Sequence, residues 1–101
     1  MNKKRNLAIK KLEKAFPGIK GIRECTESWF PNEDAIHLGD CAEGGTINDL
    51  PACDYYAFEI DPEEKIYVMG VHKELRELVK QCGYAVECYD PGTWVAYANN
   101  D

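Results

Sequence analysis

Eight of the twelve basic residues in this 101-residue chain fall within its first 23 positions, beside one acid, Glu13. They are Lys3, Lys4, Arg5, Lys10, Lys11, Lys14, Lys20 and Arg23, so the block carries +7. Residues 24–101 hold the other four basic residues and seventeen acids, a net of −13, and the whole chain is −6. The basic block also has the clearest helical period. Ala8, Ile9, Leu12, Ala15 and Phe16 share one stripe at 3.6 residues per turn. Lys10 and Lys14 lie nearly opposite, with Lys3 on the same line if the helix starts early. The spacing predicts a helix over about Asn6–Phe16, ended by Pro17-Gly18. One of its faces is for a core and the other is for solvent or a partner. Such a helix lying on an acidic body either neutralises itself internally or leaves two surfaces of opposite sign, and internal packing is the simpler expectation.

The length fits one domain, 1–101, burying roughly 60–70% of its unfolded surface. A hydrophobic content of 45% and eleven aromatic residues point to a folded globule. No apolar run approaches the roughly 20 residues that would span a membrane. Leu7-Ala8-Ile9 is followed at once by Lys10-Lys11, so the N-terminus lacks the apolar core of a signal peptide. The expected compartment is the cytoplasm. Cys25, Cys41, Cys53, Cys82 and Cys88 are odd in number and irregular in spacing, which suits reduced and mostly buried thiols better than a disulfide framework.

Beyond the first helix, Ile19–Cys25 is a strand candidate, Trp29-Phe30-Pro31-Asn32 a turn, and Ala35-Ile36-His37-Leu38 a short strand. Residues 39–54 show no period and read as a long ordered flap pinned by Ile47 and Leu50. Tyr56, Phe58 and Ile60 alternate with Tyr55, Ala57 and Glu59. With Asp61–Lys65 as a turn and Ile66–Met69 returning, that pattern predicts a hairpin. A second helix is expected over about His72–Cys82, with His72 in its N-cap region and Gly83 as the left-handed residue after its end. Tyr84–Tyr89, Asp90-Pro91-Gly92-Thr93 and Trp94–Ala98 predict a closing hairpin. A Pro-Gly turn twists against a tight hairpin, so a bulge or a longer loop is expected to absorb the mismatch. If Asp90 faces Thr93 in an unbroken ladder, Val86, Cys88, Val95 and Tyr97 share the core face. Glu87, Tyr89 and Trp94 then lie on a surface or groove. The element order predicts an α+β fold: a two-layer sandwich with a mostly antiparallel sheet of four to five strands and two helices on one face.

Catalytic and metal motifs are weak. His37, Asp40, Cys41, Asp49, Cys53 and Asp54 are suitable metal-ligand types, but their spacings match no CxxC or HxxxH pattern, and no metal or cofactor is expected. A Cys–His nucleophile pair, Cys41 or Cys53 with His37 or His72, would need a stabilised thiolate in acidic surroundings. The chain is therefore not expected to be an enzyme. Two surfaces remain. Acids including Asp40, Glu43, Asp49, Asp54, Glu59, Asp61, Glu63 and Glu64 could meet a basic protein partner, with Trp29, Tyr89 and Trp94 supplying buried area beside Glu87. Alternatively Lys3, Lys10, Lys11 and Lys14 could follow a nucleic-acid backbone. A homodimer formed through an edge strand such as Trp94–Ala98 is a further candidate.

Gly70-Val71-His72-Lys73-Glu74-Leu75, Cys82-Gly83-Tyr84 and Tyr89-Asp90-Pro91-Gly92-Thr93 resemble the C-terminal half of small uncharacterised proteins encoded by phages and prophages. Gly39-Asp40-Cys41-Ala42-Glu43-Gly44-Gly45 resembles their central loop. The resemblance covers about half the chain and rests on structural motifs. It implies a bacterial or phage cytoplasmic setting and no catalytic residues. With the acidic composition, it leads to the expectation of a small, non-enzymatic interaction protein that binds and modulates one protein partner.

Overall fold

The computed structural model describes residues 3–26 and 34–98. The first helix, α1 (Lys3–Ala15), starts a turn earlier than its apolar stripe and buries Ala8 and Leu12; Phe16, just beyond it, is buried too. Two strands follow, β1 (Ile22–Glu24) and β2 (Ala35–Leu38), and the last two, β7 (Tyr84–Asp90) and β8 (Thr93–Ala98), complete an antiparallel four-stranded sheet ordered β1-β2-β8-β7. The long helix α3 (Lys73–Gln81) buries Leu75 and Val79. These side chains form one core with those of α1 and with Ile22, Ile36, Leu38, Tyr84, Trp94 and Ala96 from the sheet. The fold is α+β, and both long helices bury their apolar stripes against the same sheet face.

The ends of α3 follow local chemistry. His72 is its N-cap, and its Nδ1 accepts the Glu74 N–H at 3.1 Å. Past the last turn, Gly83 takes φ +86°, the left-handed conformation that glycine adopts without penalty.

The β7–β8 hairpin corrects the expected assignment of faces. Asp90 does pair with Thr93, but Cys88 pairs with Trp94 rather than Val95, which leaves Tyr89 as the extra residue of a bulge. One inserted residue moves every earlier side chain of a strand to the other face. Trp94 therefore points into the core with Val86 and Cys88 and is only 3% exposed, while Val95 packs with Cys25 and Ala35 in a second cluster. Trp94 is thus not the exposed anchor that its unbroken-ladder position implies. Nor is its strand an edge. β8 lies between β2 and β7, so it has no free side for a second copy.

The 39–54 segment is ordered by backbone bonds and a small ladder rather than by length-wide periodicity. β3 (Thr46–Ile47) and β4 (Leu50–Pro51) pair across Asn48-Asp49, both at positive φ, as in the tight turns that favour Asn and Asp. Ile47 is buried, and the Thr46 N–H reaches the Gly18 carbonyl at 3.1 Å.

The predicted 55–69 hairpin is absent. Asp54 accepts the Tyr56 N–H through Oδ1 at 2.9 Å, turning the chain into a single helical turn, α2 (Ala57–Ile60). The returning residues Tyr67–Val68 (β5) pair with Val71–His72 (β6) across Met69-Gly70 instead. Alternation in the sequence loses here to a local carboxylate. Asp61 collects the N–H groups of Lys65, Ile66 and Tyr67 at 3.0, 2.8 and 2.7 Å and curls 61–67 into a closed loop.

Candidate functional site

Each sequence candidate within the described residues has a definite place. Asp40 sits in the flap, and its Oδ1 accepts the Lys20 N–H at 2.7 Å, a structural bond that ties the flap to the approach of β1. Asp49 is exposed at the β3–β4 turn. Glu87 and Tyr89 are exposed on β7. Trp94 is core, with its indole N–H on the Pro91 carbonyl at 3.2 Å. Trp29 lies outside the described residues. Of this set, only Glu43 lines the main cleft.

That cleft, about 570 Å³, opens between the flap, the β7–β8 turn and the start of the 54–69 segment. Glu43, Gly44, Gly45 and Thr46 form one side, Pro91 and Gly92 a second, and Cys53, Asp54, Tyr55 and Tyr56 a third. The Tyr55 and Tyr56 rings meet edge to face, with centroids 5.3 Å apart and planes at 81°, and both are exposed. Tyr56 continues to Phe58 at 6.4 Å. Tyr55, Phe58 and Met69 also border a second hollow of about 310 Å³ over Asp61 and Tyr67.

The arm formed by residues 54–69 has an unusual surface. Eight large hydrophobic side chains are exposed among the described residues, and six belong to it: Tyr55, Tyr56, Phe58, Ile60, Ile66 and Met69. Phe58, Ile60 and Met69 are 66%, 60% and 78% exposed. Exposed apolar side chains gathered in one place mark interaction surfaces, whereas scattered single ones do not. The same arm carries Asp54, Glu59, Asp61, Glu63 and Glu64 against Lys65 alone, a net of −4. It is firmly rooted. Tyr67 is buried and donates its hydroxyl to the Pro51 carbonyl at 2.6 Å, Asp54 N–H bonds the Gly70 carbonyl at 2.8 Å, and Lys73 N–H bonds the Ile66 carbonyl at 2.8 Å. Gly70, at φ +82°, lies so close to Trp94 that a Cβ there would sit 2.9 Å from the indole Cη2.

Electrostatics separate the structural groups from the available ones. The Tyr67 N–H is the main cause holding the Asp61 carboxyl below its ordinary pKa, outweighing burial, with the Ile66 and Lys65 N–H groups adding to it. Burial pushes the Tyr67 and Tyr84 phenols up; the Tyr84 hydroxyl donates to Asp34 at 2.6 Å. The Cys53 thiol is pushed up by its hydrogen bond with the Cys41 thiol and then by burial, and burial likewise raises Cys88. Protonated, enclosed thiols are poor nucleophiles. Both histidine rings are committed to backbone bonds, His37 Nδ1 to the Gly39 N–H at 3.0 Å and His72 Nδ1 to the Glu74 N–H. Among the described residues, no three His, Cys, Asp or Glu side chains converge on a point that could hold a metal ion.

The basic helix is less neutralised than its acidic surroundings suggest. Arg5 pairs with Glu24 at 2.7 Å, and Lys4 stands 4.8 Å from the Tyr84 ring centroid. Lys3, Lys10, Lys11 and Lys14 are exposed and meet no carboxylate among the described residues. Leu7, 60% exposed, lies on this same side.

Sequence reasoning missed the arm's aromatics because period-two alternation buried Tyr56, Phe58 and Ile60 in an expected sheet. Tyr55-Tyr56-Ala57-Phe58-Glu59-Ile60 is apolar at five of six positions, more than a strand with one core face requires. That excess is the signal that could have found it. No family model matches the chain. No curated protein and no solved structure matches it. Among the described residues, no helix is long and apolar enough to cross a membrane.

Proposed function

We propose that this chain is a small, non-enzymatic interaction protein that docks one protein partner through the 54–69 arm and modulates it. The observation that carries this reading is the gathering, on that arm, of six of the eight large hydrophobic side chains exposed among the described residues. Glu59, Glu63 and Glu64 are exposed on the same arm, so the fitting partner presents an apolar groove rimmed by Lys and Arg. The arm is braced by Asp61 and Tyr67 before any partner arrives, which lowers the ordering cost of binding. The resemblance to small phage and prophage proteins suggests a bacterial host protein as the target. The test is capture from bacterial lysate with tagged wild type and a Phe58→Ser/Ile60→Ser variant, each with and without nuclease. A protein retained by wild type after nuclease and lost by the variant supports the reading. Equal capture by both chains overturns it.

A second reading rests on the open lysine ridge. Lys3, Lys10, Lys11 and Lys14 give α1 a cationic face suited to a nucleic-acid backbone. Binding of DNA or RNA at low salt, abolished by replacing the four lysines with glutamine, would establish it. Absence of any mobility shift at low salt removes it.

A further inference from the structure

We propose that the cleft beside the arm receives an arginine side chain presented by the protein partner. This rests on the reading of the arm as the docking surface and adds what the partner must bring to it. Two carboxylates, Glu43 and Asp54, line the cleft, and among the described residues no Lys or Arg does. Neither acid is neutralised within the chain. The Glu43 carboxylate makes no hydrogen bond or ion pair among the described residues, and it lies across Gly92, where a Cβ would come within 2.7 Å of its Oε1. Asp54 spends Oδ1 on the Tyr56 N–H, which leaves Oδ2 for another donor. The exposed Tyr55 and Tyr56 side chains line the same cleft, next to Asp54 in the chain. Carboxylate on one side and aromatic face on another is the pairing that a planar guanidinium satisfies at once, by charge-assisted hydrogen bonds and by stacking. At about 570 Å³ the cleft exceeds one side chain, which leaves room for the partner backbone to lie over Gly44, Gly45 and Gly92.

The test is a ¹⁵N NMR titration of the full chain with N-acetyl-arginine N-methylamide, repeated with the citrulline analogue, which has the same shape and no charge. Arginine should shift the amides of Gly44, Gly45, Tyr55, Tyr56 and Gly92, and citrulline should bind at least about tenfold more weakly. A Glu43→Gln/Asp54→Asn variant should lose the arginine shifts. Asn at position 54 keeps an acceptor for the Tyr56 N–H, so an unchanged spectrum elsewhere will show the fold intact. Equal binding of citrulline, arginine shifts scattered away from the cleft, or full binding by the charge-neutral variant would each overturn the proposal. The Phe58→Ser/Ile60→Ser chain separates the two readings. Arginine binding that persists in it, with no partner captured by wild type, would sink the arm and leave the cleft standing.

Discussion

The sheet and the arm follow opposite rules within one chain. In the sheet, Ile36, Leu38, Val95 and Ala96 are wholly enclosed, and the ladder β1-β2-β8-β7 pairs β2 and β8 on both sides. In the arm, Phe58, Ile60 and Met69 face water, and a side-chain carboxylate does much of the work that a ladder does elsewhere. A chain of 101 residues has few large apolar side chains to spare. That it keeps so many outside, on a braced support, is the strongest pointer to what the surface is for.

The contrast predicts that changes in the two regions will be felt in different measurements. Trp94→Ala should have the largest effect, costing about 3–5 kcal/mol in urea unfolding, because it empties the core beneath Gly70. A loss below about 1 kcal/mol would mean that the indole is not in the core at all.

Asp61→Asn should come next and be local. Amide exchange of Lys65, Ile66 and Tyr67 should accelerate while that of Val95 and Ala96 does not. The folded-state pKa of Asp61 is depressed, so its contribution is fully present above its unfolded value, near pH 4, and is lost as pH falls through the folded value. Wild type should therefore lose arm protection on acidification, and Asp61→Asn should show little of that pH dependence. Identical acid profiles for the two chains would end the assignment of the brace to this carboxylate.

Met69 holds φ +52° at the exposed β5–β6 turn, where glycine would be unstrained. Met69→Gly should raise stability by about 1 kcal/mol while weakening partner binding, a trade expected where an exposed side chain is kept for contact. Higher stability with undiminished binding would show that the thioether is not part of the interface. The smallest effect on the fold is expected from Phe58→Ser/Ile60→Ser, within about 0.5 kcal/mol of wild type by thermal unfolding. A larger loss would mean that these side chains support the arm rather than serve a partner.

Elements whose cause is local were legible in the sequence: the stripe of Ala8 and Leu12, the cap at His72, the left-handed Gly83, and the Asp90–Thr93 closure. The α+β class followed from their order. Two things were not legible. A bulge or longer loop was expected from the Pro-Gly turn, but not its place at Tyr89, which reverses the faces of β8, because a one-residue shift leaves no trace in a hydrophobic pattern that is apolar on both sides, as Tyr84–Cys88 nearly is. The arm was hidden for a related reason, since alternation in 55–60 is compatible with a strand until Asp54 and Asp61 claim the backbone donors. Of the acidic candidates, Glu43 reached the cleft, while Asp40 proved to be a backbone tether, because sequence cannot tell a carboxylate aimed outward from one consumed by its neighbours.

The bulge in β7 has one more consequence. With β8 enclosed, β7 is an outer strand of the sheet among the described residues, seven residues long, and an outer strand is the natural template on which another chain could grow a sheet. Tyr89 breaks the regular spacing of donors and acceptors there, and Glu87 and Asp90 set negative charge on either side of the break. A second strand arriving at that edge would find its register interrupted and, if it were another copy, its own acids repelled. The irregularity that turns Trp94 inward thus also guards against aggregation the longer of the two outer strands of the sheet among the described residues.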